Sequence, residues 1–169
     1  MAEIIELDAR PSRPPRCLVD FQITRQHRRF VEFADAVRRH RYIGVCYGAP
    51  GLGKTLSART YAAADDYEHW FANRYRRDSA MPTTLLNSRS MYTPELTITA
   101  RRLNLEIGLH VDRLSSDIER VLNPGYDPEF DDLTEYRTEL VIIDEADRLK
   151  TSGLEQLRSY SDRADLGMI

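Results

Sequence analysis

The sequence predicts an α/β fold, a parallel sheet with flanking helices, and three observations predict it. Two runs, "YIGVCYG" (42–48) and "ELVIID" (139–144), are apolar almost throughout, as strands buried on both faces are. Around them, apolar residues recur at intervals of three and four, the period of a helix face. The first run passes through a glycine-rich octet, "GAPGLGKT" (48–55), into a helix-favouring stretch. Apolar strands alternating with helices indicate a parallel sheet covered on both sides.

Each element follows in order. Residues 1–20 contain "RPSRPPR", where repeated prolines prevent a regular helix. A flexible Arg/Pro-rich arm is expected there, and one folded core over 21–169. From Thr24, Phe30, Phe33, Ala34 and Val37 mark an amphipathic helix. "YIGVCYG" is then a buried strand, and "LSARTYAAADDYEHWFANRYRR" (56–77) a helix. "TTLLNS" (83–88), just after Pro82, is a plausible second strand. Beyond Pro94, Leu96, Ala100, Leu103, Ile107, Val111, Leu114, Ile118 and Leu122 form one face of a long helix or of two in sequence. "NPGYDPEFDDLTEY" (123–136) breaks the pattern as an acidic loop. "ELVIID" is the third strand, and 151–162 a short helix with Leu154 and Leu157 inward.

Composition narrows the function classes. With 169 residues, 41% of them hydrophobic and 30% charged, the chain suits one soluble domain. No apolar run reaches membrane-span length and the start lacks a signal-peptide core, so a cytoplasmic protein with no membrane contact is expected. Cys17 and Cys46 form no disulfide framework or metal pattern, and Cys46 is expected as a buried thiol. Net charge is −3, but residues 1–41 hold nine Arg against six acids. That +3 arm is compatible with DNA and is weak as evidence. The acidic run Asp127, Glu129, Asp131, Asp132, Glu135 lacks calcium-loop spacing and reads as a solvated loop. His27 and His40 read as surface histidines, and Tyr67, Trp70 and Phe71 as packing residues.

The strongest signal is "GAPGLGKT", which matches G-x-x-x-x-G-K-[ST]. Glycines let such a loop curl until its backbone N–H groups converge on phosphate oxygens. The helix that follows adds its positive N-terminal end. The expected nucleotide-binding stretch is Gly48, Ala49, Pro50, Gly51, Leu52, Gly53, Lys54, Thr55 and Leu56. Lys54 would reach the β- and γ-phosphates of ATP, and the Thr55 hydroxyl would ligate Mg2+. Lys54 and Lys150 are the chain's two lysines, against 22 arginines.

"LVIID" delivers Asp144, followed by Glu145. A carboxylate at a buried strand end beside a phosphate loop suits a Mg2+ partner, and the next glutamate suits the base for the attacking water. With a strand between loop and acids, and a glutamate after the aspartate, the pattern is that of P-loop ATPases with a catalytic glutamate. The letters D-E-A-D (144–147) invite comparison with DEAD-box helicases. Those carry a glutamine motif before the phosphate loop and a "PTREL"-like element after it. Gln22, Gln26 and "MPTTLL" supply neither.

"YGAPGLGKTLSARTYA", "LVIIDEADRLK" and "LEQLRSYSD", with "FQITRQHRRFVEFADAVRRH" ahead of them, resemble the AAA+ ATPases that regulate DNA transposition, the MuB, TnsC and TniB-like group. The resemblance covers about residues 20–169. It implies ATP bound between neighbouring subunits, homo-oligomers assembled on double-stranded DNA, and a target site handed to a transposase. Lys54 and Thr55 would be the Walker A pair, Asp144 the Walker B acid and Glu145 the catalytic base, with Asn87 as a polar residue restraining that base. The group's sheet runs 5-1-4-3-2, and "DLGMI" resembles the opening of strand four, so the core is expected to be partial, incomplete at its C-terminus. Without a complete strand four, the first and third strands should leave a gap, re-pair or aggregate. Sensor and arginine-finger residues have no counterpart, so poor hydrolysis is expected. Alternatives are a nucleotide-binding module without turnover, and a DEAD-box-type helicase fragment.

Overall fold

Thr24 ends an extended lead-in (φ −81°, ψ 167°), and its hydroxyl accepts the N–H of His27 at 3.1 Å. That cap starts α1 (Arg25–His40), which Arg41 closes in the left-handed conformation. The computed structural model describes residues 21–74, 81–131 and 137–169, apart from the Leu85 side chain. The arm expected over 1–20, Cys17, Asp132 and Glu135 lie outside the described residues. Next in order are α2 (Lys54–Ala62), α3 (Ala64–Asn73), β1 (Arg89–Tyr92), α4 (Ala100–Leu122), β2 (Leu140–Ile143), α5 (Thr151–Ala164) and β3 (Gly167–Met168).

The sheet is parallel, in the order β1-β2-β3. All four residues of β2 are buried, and their alternation sorts them onto two faces. Val141 and Ile143 join α4 and α5 through Leu103, Ile107, Val111, Leu157 and Tyr160. Leu140 and Ile142 join α1 and α2 through Phe30, Ala34, Val37, Ala58 and Tyr61. Burying each such side chain contributes about 1.5–3 kcal/mol, so a strand covered on both faces anchors both layers. Ser115 on α4 accepts the N–H groups of Arg137 (3.1 Å) and Thr138 (3.2 Å), satisfying the backbone that leads into β2. No described helix is long and apolar enough to cross a membrane.

"DLGMI" does more than open a strand. Gly167 and Met168 pair with Leu140 and Val141, and Met168 also bridges Ile43. Met168 N–H donates to the Tyr42 carbonyl (3.1 Å), and its own carbonyl accepts the N–H of Gly44 (2.8 Å). No gap and no re-pairing of the first strand with the third is needed, because these few residues fill the space. α1 lies directly over this junction. A Cβ on Gly167 would sit 2.7 Å from the Val37 carbonyl oxygen, and one on Gly44 would sit 2.5 Å from the Phe33 ring. Glycine at both positions lets the helix backbone close on the strands.

Several expectations change. "YIGVCYG" is not a buried strand: its pairing stops at Met168, and Val45, Cys46 and Tyr47 are exposed. "TTLLN" (83–87) is a 3-10 turn, and the strand begins two residues after it, at Arg89. Ser88 turns left-handed (φ 60°), and registering Arg89 with Leu140 decides the position over local propensity. The helix after the phosphate loop breaks at left-handed Ala63, turning α3 so that Tyr67 donates to Asp117 at 3.3 Å. The long helix starts only at Ala100, capped by Thr99, which leaves Leu96 exposed. Leu122 and Leu154 also face solvent, and Leu157 faces inward. His27 is buried against Phe21, whereas His40 is exposed. Tyr67, Trp70 and Phe71 are half-buried, with Arg74 and Arg113 over the Phe71 ring.

His110 on α4 contacts the Ser90 hydroxyl of β1, and burial, reinforced by nearby Arg113, lowers its pKa below 6.5, against a hydrogen bond that the ring donates to the Met91 backbone. The unfolded chain therefore binds this proton more readily than the folded one, and stability falls as pH drops through 6.5 towards the folded value. Urea unfolding between pH 7 and pH 5 is expected to show a falling midpoint, with a shallower fall in His110→Asn.

Candidate functional site

The carboxyl ends of the parallel strands form the edge where open α/β sheets bind ligands. Residues 42–44 end the sheet on one side of β3, and β2 lies on the other. The segment leaving the first carries the glycine-rich loop, and the first residue past the second is Asp144. The fold therefore brings together two motifs some ninety residues apart.

Gly51 (φ 80°) and Gly53 (φ 78°) adopt left-handed conformations, and a Cβ on either would meet nothing within 4 Å. Glycine is required here by backbone conformation rather than by space. Gly53 precedes α2, whose first turn contains no acid. The N–H groups of Lys54, Thr55 and Leu56 have no intrahelical acceptor, leaving the positive end of the helix open toward the loop. Lys54 folds back over that loop, its Nζ donating to the carbonyls of Gly48 (2.8 Å) and Ala49 (3.0 Å). Pro50, Leu52 and Leu56 are exposed around the curl.

Thr55 Oγ1 donates to Asp144 Oδ1 at 3.2 Å. The Asp144 N–H donates to the Tyr92 carbonyl at 2.9 Å, which pins the aspartate at the sheet edge. Glu145 follows in the left-handed region (φ 55°, ψ 40°) and opens the turn Ala146–Arg148. Its carboxylate is ion-paired with Arg148, and its carbonyl accepts the Arg148 N–H at 3.0 Å.

Asn87 does not join this group. It precedes the first residue of β1, where its side-chain oxygen accepts the N–H of Arg89 at 3.0 Å. The site lies beyond Tyr92, five residues further along, roughly 16 Å away at strand rise. The misplaced strand explains the error: with the strand two residues later, Asn87 starts it rather than ending it.

The same edge carries a network that the sequence did not suggest. Tyr92 donates to Glu106 Oε2 at 2.6 Å, and Arg102 donates to Glu106 Oε1 at 2.6 Å with Glu95 nearby. Burial and the bond to Glu106 push the Tyr92 phenol up, while Tyr92 and then Arg102 hold Glu106 below the usual carboxylate range. Glu106 and Arg102 are an i, i+4 pair, the one signal available beforehand. The acidic residues Asp127, Glu129 and Asp131 are exposed, with Asp127 and Asp131 bonded to backbone N–H groups of their own loop. No cluster of three metal-ligating His, Cys, Asp or Glu side chains exists among the described residues.

The family described as AAA domain matches residues 37–169. The chain belongs to that family. Its parallel α/β sheet with flanking helices is the P-loop NTPase fold of that family. The domain is 38% identical over 157 residues to a Staphylococcus aureus protein named "Potential ATP-binding protein". That alignment covers 89% of this chain and 57% of the relative, so the chain spans little more than half of the relative's length.

Because the Gly53 requirement is conformational, Gly53→Ala is expected to cost about 1–2 kcal/mol through the left-handed φ alone. Denaturant unfolding checks the size of the loss.

Proposed function

We propose that this AAA domain hydrolyses ATP with Mg2+ and works as an ATP-dependent, DNA-associated regulator of transposition. The observation that carries the ATPase part is the Thr55–Asp144 contact, which joins the phosphate loop to the acidic strand end. In this reading the loop from Gly48 to Gly53, with the N–H groups of Lys54, Thr55 and Leu56, cradles the phosphates. Lys54 exchanges its two carbonyl partners for phosphate oxygens, a charge-assisted and therefore stronger bond. Thr55 and Asp144 offer the hard oxygen donors that Mg2+ favours, and the bound cation would neutralise phosphate charge. Glu145 orients a water and takes its proton as the water oxygen attacks the γ-phosphorus and the bond to the ADP oxygen breaks.

The transposition part rests on the resemblance at 42–60 and 139–150, which also implies a homo-oligomer, double-stranded DNA and a transposase as partners. One structural feature supports the DNA contact. The outer face of α1 carries Arg25, Arg28, Arg29 and Arg39, all exposed and without an ion pair among the described residues. Three of them crowd the first five residues, where no acid offsets the positive helix end. Like charges at i, i+4 and cations at a helix N-terminus are each unfavourable by some tenths of a kcal/mol. A phosphate backbone would turn that arrangement favourable.

A second reading, nucleotide binding without turnover, is favoured by the pairing of Glu145 with Arg148. Labelled-ATP binding and phosphate release separate the two. Lys54→Ala is expected to weaken ATP binding about 10- to 100-fold, as loss of a charge-assisted bond does. Glu145→Gln is expected to bind ATP normally and lose turnover. Binding by the unsubstituted domain with no phosphate release favours the second reading.

For the DNA contact, binding of duplex DNA is measured against salt concentration with ATP present. The triple variant Arg25→Ala/Arg28→Ala/Arg29→Ala is expected to lower the slope of log K against log salt by about 2–3, with ATP binding intact. An unchanged slope excludes this face.

A further inference from the structure

Glu145 is held by a neighbour that no nucleotide-binding role explains. Its carboxylate pairs with the Arg148 guanidinium at the far end of the turn Ala146–Arg148. The turn does not need that side chain. Its backbone is closed by Arg148 N–H to the Glu145 carbonyl and by Leu149 N–H to the Ala146 carbonyl, both at 3.0 Å. Nor does the pair anchor anything buried, since the two side chains are 34% and 42% exposed. Ion pairs so exposed are weak and easily parted. Asn87, the residue expected to restrain the base, sits at the opposite end of β1. Lys54 is turned toward the Gly48 and Ala49 carbonyls instead.

We infer that Arg148 is a positioning residue that holds the Glu145 carboxylate back from the attacking water, as a local brake on hydrolysis. The inference rests on the reading of Glu145 as the base. The Arg148 guanidinium engages Glu145 Oε2, and a carboxylate drawn toward that cation is both less basic and aimed away from a water it would have to deprotonate. The left-handed backbone of Glu145 swings the chain off the end of β2 into the turn that ends at Arg148, and the Glu145 side chain pairs there. Turnover then requires the pair to part. Because the contact is exposed and weak, a modest competing interaction at this edge is enough to part it.

The test compares kcat, KM for ATP and equilibrium ATP binding in the unsubstituted domain, Arg148→Ala, Arg148→Gln, Arg148→Lys, Glu145→Gln and Arg148→Ala/Glu145→Gln. Removing the guanidinium is expected to raise kcat about two- to fivefold, the range a weak exposed ion pair supplies. KM and ATP binding should stay put, and Arg148→Lys should resemble the unsubstituted domain. The double variant should be as inactive as Glu145→Gln. Thermal unfolding accompanies each measurement, and Arg148→Gln carries the comparison if Arg148→Ala melts early. If the unsubstituted domain turns over, Glu145→Gln does not, and neither neutral Arg148 variant is faster, the brake is overturned and the base stands. If Glu145→Gln turns over as fast as the unsubstituted domain, or if no form turns over although ATP binds, both assignments fall.

Discussion

β2 is the constraint on which the other elements depend. Its four residues are buried on alternating faces, so helices must cover both sides and both edges must find strand partners. β1 takes one edge in register, and β3 takes the other with only two residues. Those two residues have a wider effect than their number suggests, because Met168 also bonds Tyr42 and Gly44. Through that bridge the segment carrying the glycine-rich loop is placed one strand beyond β3, with the loop and Asp144 at the same edge. The Thr55–Asp144 hydrogen bond is then a consequence of sheet order.

α1 reinforces this arrangement from outside. Arg38 and Arg41 reach Glu139 at the start of β2, with Arg38 Nη1 2.9 Å from Glu139 Oε2 and Arg41 Nη1 2.9 Å from the Glu139 carbonyl oxygen. Tyr61 of α2 donates to Asp35 of α1 at 2.6 Å, and burial with that bond pushes its phenol up to about 12. Polar contacts thus hold the amino ends of the strands, far from the loop. The carboxyl ends carry the Thr55–Asp144 and Glu145–Arg148 contacts together with the part-buried Tyr92–Glu106 bond.

Much of this was legible beforehand because local signals and tertiary demands agreed. "LVII" is buried on both faces as its composition requires, and α1 begins at the Thr24 cap. Gly51 and Gly53 occupy the left-handed conformations that the motif needs. Where they disagreed, the neighbours decided. "TTLL" has strand propensity, but pairing with β2 starts at Arg89, which moved Asn87 to the wrong end. "YIGVC" is as apolar as β2, yet it pairs only through Ile43 with Met168, and Val45 and Tyr47 are exposed. Leu154 fits the helical period but sits on the outer face of α5.

Residue order alone reveals a glycine loop with one lysine and one threonine, an apolar strand followed by two acids, and the α/β pattern joining them. Residue types and close spacing carry that information, since a left-handed turn needs glycine and a doubly buried strand needs apolar side chains. Which groups meet follows from strand order and pairing. Thr55 and Asp144 are 89 positions apart, and no local rule relates them until β3 sets the distance between their strands. Glu145 and Arg148 are close in sequence, but their pairing accompanies a left-handed backbone at the strand end that residue order does not reveal. Long-range pairing and a single unusual φ lie outside what periodicity reports.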